Sequence, residues 1–589
     1  MGKKKKSASG PFKKGFLERF QSNLKNWEED TLKKRVIDGE LRPEFWTKHG
    51  QKEKIKPEFK SGSGEYTIKE IYTPLDMNDT DPIKQIGLPG SYPYTRGRDP
   101  LGYQALKIPL KFYSGYGSSE TAKQRYKTLY DAGSRFILVA ADLPTQIGYD
   151  SDSPTAAGEV GKVGIAFDTL ADMERLFDWM PLDKVQTGTV GNCIGPWALS
   201  MFYLLGEKRG VDPSVMRVQL QNDPFKEYTG RGTYIFSPKI AMDLASDVVV
   251  HICKYLPNHW EPQYHCTTTL RWGGCSATQE VGFGIANLIA YIEAAQEKGV
   301  KPEVFAPRLN LHMTADMDLF EEVAKFRAAR RLWAKIARER FGTDDPRITS
   351  LRITVYTGAN RLIAQQPLTN IVRVTIQVLA SMLGGAESIT VPAYDEALAL
   401  PTAESTRLAG LTPHILNDEC MAGNTSDPLG GSYYVEWLTN KVEEDGRKWY
   451  DAVEAKGGAL AAVESGYYLQ QMADGMYEYQ KEIERGERTI VGLNKFLVET
   501  DESIELFKFD YEAEKNQIER LRKIKIERDH ATVEKCLSRL KQVAENKAAG
   551  KQDNIVMPMM EAVRAYATVG EIFGVLREIF GEYRLPLIV

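Results

Sequence analysis

The chain has 589 residues, long enough for several average domains or for one large α/β barrel with extensions. Its 76 basic and 80 acidic residues leave a net charge of −4, which gives no electrostatic footprint for nucleic acid. Six cysteines with no CxxC pair argue against a disulfide framework or a zinc site and fit a reducing cytoplasm, and no apolar run reaches the length of a membrane span.

Taken in order, the chain opens on MGKKKKSASG, basic but followed by no apolar stretch, so it does not read as a secretory signal. Lys3 to Lys6 read as a solvated end. Residues 1–75 mix charge with Phe12, Phe16, Trp27, Phe45 and Trp46, and helical periodicity around Phe16 to Trp27 predicts an arm that packs on something larger. IGLPGSYPYTRGRDPLGY is dense in Gly, Pro and Arg and predicts loop. A βα rhythm follows, with eight β-rich runs: Phe136 to Ala141, Val163 to Phe167, Val185 to Val190, Met216 to Gln221, Gln263 to Thr269, Pro307 to Met313, Leu351 to Thr357 and Ala386 to Val391. Amphipathic helices lie between them, the clearest over Asp316 to Phe341 with Leu319, Val323, Phe326, Ala329, Trp333 and Ile336 on one face. Parallel strands need crossover helices, so eight such units predict an α/β fold, a (β/α)₈ TIM barrel, with a doubly wound sheet as the other solution.

The strands carry polar residues at alternate positions: Thr187 and Thr189; Gln219 and Gln221; Thr267 and Thr269; Arg308, Asn310 and His312; Arg352, Thr354 and Tyr356; Ser388 and Thr390. Helices cover the outside of a barrel, so the apolar rows should face them and the polar rows should face the axis. A dry axis would leave those groups unpaired at a few kcal/mol each. The pattern therefore predicts a long polar ligand or water along the axis. After Val391 the chain turns helical, and residues 503–550 are charge-laced with a thin apolar stripe, compatible with solvated or partner-facing helices.

Single residues are less decisive. Arg231, in a Gly-rich loop, suits a carboxylate or phosphate anchor or an ordinary surface ion pair. His265, Cys266 and Cys275 fit no metal-ligand spacing, DLPTQIGYDSD reads as turn chemistry, and no Walker loop occurs.

Longer motifs go further. YPYTRG at Tyr92, DLPTQIGYDSD at Asp142, GEVGKVGIAFDTLADM at Gly158, QNDPFKEY at Gln221, FAPRL at Phe305, EVAKFRAARRLWAKI at Glu322, DEALALPT at Asp395 and DPLGGSYYVE at Asp427 together resemble the adenosylcobalamin-dependent acyl-CoA mutases of the methylmalonyl-CoA mutase family, from about residue 70 onward. The resemblance implies a barrel threaded by coenzyme A and capped by cobalamin. It also implies a radical 1,2-rearrangement begun by cobalt–carbon homolysis and hydrogen abstraction by the 5′-deoxyadenosyl radical. None of the seven histidines sits in the DxHxxG pattern that marks the family's cobalamin fold, so the cofactor is expected on a small partner subunit in a hetero-oligomer. The implied organisation is an N-terminal arm at 1–75, the barrel at 76–460 and a C-terminal helical region at 461–589 that contacts the partner, in a cytoplasmic protein with no membrane or nucleic-acid partner.

Carried over by position, Tyr113 and Arg231 match the pair that binds a substrate carboxylate, and Gln221 matches an active-site glutamine. Glu396 matches the glutamate on the adenosyl ribose, and Arg308 and Ser388 match the coenzyme A channel, where the polar rows add Asn310. Ala140 stands where the 2-hydroxyisobutyryl type carries Asp. Several positions depart: Thr269 replaces the active-site His, RGRDPLGYQAL the coenzyme A loop, Ala141 a Phe beside the radical site, Gln146 a His over the corrin, and Tyr356 and Glu387 two glutamines. These predict the large subunit of a mutase for a carboxyacyl-CoA bulkier than methylmalonyl-CoA, of the alkyl- or arylsuccinyl type. Methylmalonyl-CoA mutase proper and a catalytically silent scaffold chain are the alternatives, and an unrelated polar-axis barrel is a third.

Overall fold

A computed structural model describes residues 12–30, 59–69, 71–77, 80–105, 111–131, 133–256, 258–498, 504–508 and 512–585. Lys3 to Lys6, Phe45 and Trp46 lie outside the described residues. The expected N-terminal helix forms over Lys14–Asn26, and just before it the Phe12 ring meets Tyr433 edge-on at 6.2 Å. A small antiparallel hairpin, β1 (Phe59–Lys60) with β2 (Thr67–Ile68), precedes the main body.

Two parallel sheets make that body. One runs β3 (Lys111–Ser114), β4 (Phe136–Val139), β5 (Gln186–Val190), β6 (Arg217–Gln221) and β7 (Trp260–Glu261). The other pairs β8 (Gln263–Cys266), β9 (Leu309–Ala315), β10 (Ile353–Thr357) and β11 (Ser388–Thr390) in that order. Pro262 separates β7 from β8, and a residue with no N–H cannot continue a ladder. The two halves of one extended segment thus belong to different sheets.

Six predicted runs contain strands, a seventh holds β8 in its first half, and the eighth fails. Val163 to Phe167 is not a strand; only Ile165 makes bridges, to Gly117 and Ala141. The first strand is instead β3, a four-residue element too short to stand out by periodicity. The fifth run ends at Cys266, where Thr268–Trp272 turns helical, so Thr269 is not a strand residue.

The polar rows face inward on β6, β9, β10 and β11, while Val218, Leu220, Leu309, Leu311, Met313, Ile353 and Val355 pack outward against helices. Two rows depart from that pattern. On β5, Thr187 registers with the outward-facing Ile137 and is buried, whereas Thr189 donates to the Val139 carbonyl at 3.0 Å and still borders the inner cavity. A Cβ on Gly188 would lie 1.8 Å from the Gln219 carbonyl oxygen, so this close strand approach requires glycine. On β8, Tyr264 and Cys266 register with the inward Asn310 and His312, and Thr267 instead donates to Glu280 at 3.0 Å.

Two apolar cores cover the sheets. One joins β9 to β11 with the helices Ala277–Glu297, Leu319–Phe341 and Tyr433–Ala455. The other joins β4 to β6 with Leu170–Phe177, Gly195–Lys208, Pro238–Tyr255 and the C-terminal helices His530–Ala548, Val556–Arg564 and Val569–Phe580. The predicted face of Leu319–Phe341 is buried from Val323 to Ile336, but so is its other side. Arg327 there pairs with Asp427 and Glu436, and Arg330 donates to the carbonyls of Tyr94, Thr95, Gly384 and Gly385. Among the described residues no helix is long and apolar enough to cross a membrane.

Candidate functional site

The inner faces of both sheets line one cavity of about 390 Å³ at the C-terminal ends of the strands. Tyr113, Gln221, Arg231, Thr269, Tyr356 and Glu396, six of the predicted site residues, meet there. A second cavity, about 410 Å³, lies at the N-terminal ends and holds Asn310, Glu387 and Ser388 beside Arg135, Lys184 and Arg217. Gln219 lines both, so the two spaces adjoin along the inner face.

Arg231 is placed by local sequence. After β6, Pro224–Lys226 starts a helix that widens into a π-helical turn over Glu227–Arg231, and Gly232 ends it with φ of 83°. Glu227 is fixed from below by the Asn192 amide, by the Thr233 hydroxyl and by the Thr233 N–H at 3.2 Å. Its carboxylate stands 3.6 Å from Arg231 Nη1, too far for a good hydrogen bond, and that buried Nη1 has no hydrogen-bond acceptor among the described residues. Burial disfavours the guanidinium charge, but Glu227 and then Tyr113 outweigh it and hold the Arg231 pKa above its ordinary value. Burial likewise raises the Tyr113 phenol, with the adjacent Arg231 pulling the other way. Tyr113 keeps 38% of its surface, which faces the cavity. An unmet buried donor beside a neutral phenol is a ready carboxylate receptor.

Around this pair, Gln221 accepts from Lys226 Nζ at 2.8 Å and from Asn192 at 3.4 Å. Thr269 Oγ1 and Trp272 Nε1 are also buried without hydrogen-bond partners among the described residues. Trp272 meets Tyr356 edge-on at 5.3 Å, and with Leu138 and Val190 they form an apolar wall. Burial, then Glu396 and Tyr113, keeps the Tyr356 phenol well above its usual pKa. Glu396 also borders a side chamber of about 190 Å³ with Ser114, Arg125, Ala140 and Thr390. Burial among these walls, reinforced by Asp395, pushes its pKa up to about 7.

Three predicted residues are elsewhere. Ala141 has the outward parity of Ile137 and Val139 and packs in the core at 2% exposure; Ala140 is the one beside the chamber. Any added room therefore does not come from Ala141. Gln146 is buried and its amide nitrogen donates to the Ala141 carbonyl at 2.6 Å, which turns that donor inward. Arg308 ends the turn before β9 and lies 3.9 Å from Cys253 Sγ, toward the outer helices. In the second cavity, Glu387 Oε2 accepts the Ile353 N–H at 2.7 Å, while Glu387 Oε1 and Ser388 Oγ have no hydrogen-bond partner among the described residues. Arg352 there pairs with Glu261 at 2.8 Å.

Lys226, Tyr264, Cys266, Thr268 and Trp272 line the upper cavity without having been singled out as site residues. Lys226 was visible within QNDPFKEY, and Trp272 within the altered TTTLRWGG stretch; neither carries a periodic signal.

Comparison with known proteins matches residues 61–582 to the methylmalonyl-CoA mutase family model. The chain is 37% identical to the 2-hydroxyisobutanoyl-CoA mutase large subunit of Aquincola tertiaricarbonis, over 88% of this chain and 92% of that one. It is 36% identical to methylmalonyl-CoA mutase of Escherichia coli, over 88% of this chain and 72% of the relative. It is 35% identical to the human mitochondrial methylmalonyl-CoA mutase, over 88% and 68%. The chain therefore belongs to the methylmalonyl-CoA mutase family, cobalamin-dependent isomerases that rearrange acyl-CoA substrates.

Proposed function

We propose that this chain is the substrate-binding large subunit of an adenosylcobalamin-dependent mutase acting on a carboxyacyl-CoA bulkier than methylmalonyl-CoA. The observation that carries the proposal is Arg231 Nη1, buried beside Tyr113 in the inner cavity, 3.6 Å from Glu227 and with no hydrogen-bond acceptor among the described residues. In this reading the two sheets close into one (β/α)₈ barrel over residues 76–460, preceded by an arm at 1–75. Coenzyme A enters from the basic N-terminal rim at Arg135, Lys184 and Arg217 and runs inward past Asn310 and Ser388. Its acyl group ends with a carboxylate on Arg231 and Tyr113. The apolar wall of Trp272, Tyr356, Leu138 and Val190 beside that anchor suits a hydrocarbon substituent on the acyl chain.

The residues present fit the adenosyl part of the cofactor: Glu396 offers ribose hydroxyls a carboxyl at the edge of a side chamber whose other walls include Ala140 and Thr390. The corrin contact expected at Gln146 does not fit, because that amide is turned inward. Adenosylcobalamin, when bound, supplies the radical that starts the rearrangement. The chain's own part is to bind and orient. Arg231 and Tyr113 fix one end of the acyl group, the polar lower cavity fixes the other, and the aromatic wall excludes water from the carbons between them. A small subunit with the DxHxxG pattern would hold the cobalamin against this mouth and meet the C-terminal region at 461–589, in a cytoplasmic hetero-oligomer.

The test is turnover of the purified chain with adenosylcobalamin and its cobalamin-binding subunit, on methylmalonyl-CoA and on a series of alkyl- and arylsuccinyl-CoAs. Rearrangement of a substituted succinyl-CoA faster than methylmalonyl-CoA is expected. Full activity on methylmalonyl-CoA alone would make this a methylmalonyl-CoA mutase proper. Absence of any paramagnetic cobalt–radical signal with every substrate would leave a silent scaffold chain.

A further inference from the structure

The two ends of the Gln221 carboxamide differ chemically, and its neighbours decide which one meets the cavity. Gln221 closes β6 at 7% exposure and lines the upper cavity. Two side chains reach its Oε1. Lys226, on the short helix Pro224–Lys226, donates from Nζ at 2.8 Å, and Asn192, on the loop after β5, donates from Nδ2 at 3.4 Å. An ammonium can donate but never accept, so the amide atom that faces Lys226 is the oxygen.

Asn192 is oriented by the same logic. It is 5% exposed, its Oδ1 accepts the Asp223 N–H at 3.2 Å, and its Nδ2 faces the Glu227 carboxylate. A backbone N–H only donates and a carboxylate only accepts. Turned over, the Asn192 amide would set donor against donor and acceptor against acceptor. With both neighbours fixed as donors, Gln221 has one arrangement, and its Nε2 donates to no acceptor among the described residues.

A carboxamide and its turned-over form have the same shape, so packing does not choose between them. Without Lys226 the two forms would come close in energy, one offering the cavity a donor and the other an acceptor. An oxygen atom of a bound acyl group, whether carbonyl or carboxylate, pairs only with the donor. Lys226 sets that donor before the ligand arrives, so binding does not have to turn the amide.

We propose that Lys226 and Asn192 are positioning residues that hold Gln221 in a single amide orientation, with its NH₂ presented to an oxygen atom of the acyl group. This deepens the acyl-CoA reading above and rests on it.

A double-mutant cycle of Lys226→Met and Gln221→Met tests it, with succinyl-CoA and coenzyme A alone titrated calorimetrically into the full chain. Succinyl-CoA should bind each single variant roughly three- to tenfold more weakly than wild type, and the double variant no more than about twofold more weakly than Gln221→Met. Coenzyme A, which has no acyl oxygen, should bind all four proteins alike. Lys226→Gln removes the charge but keeps a donor for Gln221 Oε1, and it should lose less than Lys226→Met. Should Lys226→Met fail to fold, Lys226→Ala takes its place in the cycle. Losses that multiply in the double variant would mean that Lys226 acts on the ligand through its own charge, and a loss shared equally by coenzyme A would mark a structural role. Either result overturns the positioning of Gln221 and leaves the mutase reading standing. A wild-type chain that binds neither ligand overturns both.

Discussion

Removing Arg231 while also removing the ligand carboxylate isolates the contact on which the functional reading depends. In a double-mutant cycle the two perturbations are Arg231→Met and replacement of a carboxyacyl-CoA by the acyl-CoA in which a methyl stands for the carboxylate. Two unit charges about 3 Å apart attract by roughly 5–6 kcal/mol at an effective dielectric of about 20. Glu227, 3.6 Å from Arg231 Nη1, already cancels much of that field. What survives is a charge-assisted hydrogen bond to the unmet Nη1, and a coupling of about 2–3 kcal/mol is expected, a factor of roughly 30 to 150 in Kd. Arg231→Lys keeps the charge but loses the planar fork, so about tenfold is expected for it. Glu227 retains Asn192 and Thr233 as donors in either variant, so the fold should survive. Calorimetric titration of each ligand into each protein supplies the four binding energies. A coupling below about 0.5 kcal/mol, within the usual error of additivity, would refute the carboxylate anchor.

Lys325→Met should destabilise the chain by about 3–5 kcal/mol in urea unfolding, since Lys325 Nζ is fully buried between Glu280 at 2.6 Å and Glu322 at 2.5 Å. Adding Glu280→Gln should recover part of the loss, and a single variant within about 1 kcal/mol of wild type would contradict the buried network. Glu396 gives a pH signature. Its folded pKa, raised to about 7 by burial and Asp395, lies above the ordinary glutamate value, so the stabilisation it contributes is present at low pH and lost as pH rises through about 7. Glu396→Gln should flatten stability against pH in that window, and an unchanged profile would assign the titration elsewhere. Trp272→Ala should weaken binding of an arylsuccinyl-CoA roughly ten- to hundredfold and that of succinyl-CoA less than threefold; equal losses would remove Trp272 from the wall.

Much of the site was legible because alternation survives wherever a strand is regular. The rows on β6, β9, β10 and β11 place Gln219, Gln221, Asn310, His312, Thr354, Tyr356, Ser388 and Thr390 correctly from period two alone. Where regularity breaks, parity is lost. On β5 the inward residues include Gly188, which has no polarity to display, and of the threonines beside it Thr187 faces outward while Thr189 borders the cavity. Pro262 and the helical turn at Thr268 confine β8 to four residues, so Thr267 takes the wrong face and Thr269 reaches the cavity from the turn rather than from the strand. Ala141, expected from the resemblance beside the radical site, keeps the outward parity of Ile137 and Val139, one residue from the Ala140 that borders the side chamber. The motif resemblance located Tyr113 and Arg231 without help from periodicity, since both sit where a strand gives way to loop or at a single turn. Trp272 and Lys226 were hidden because short turns have no period to read.

The buried arginines of Leu319–Phe341 have a consequence for how this chain reaches its native state. Arg330 spends its donors on carbonyls at Tyr94 and Thr95, made long before it, and Arg327 and Arg331 take their carboxylates from Asp427, Glu436 and Glu443, made long after. Such non-local closure slows folding, because chain entropy is lost before the contacts that reward it exist. A nascent chain released after residue 420 would hold its longest central helix with two guanidiniums and no counter-charge. Synthesis through residue 443 is therefore the point at which these guanidiniums gain their carboxylates, while the first core still awaits Tyr450 to Met472, so truncations before 420 and after 472 should separate aggregating fragments from protease-resistant ones.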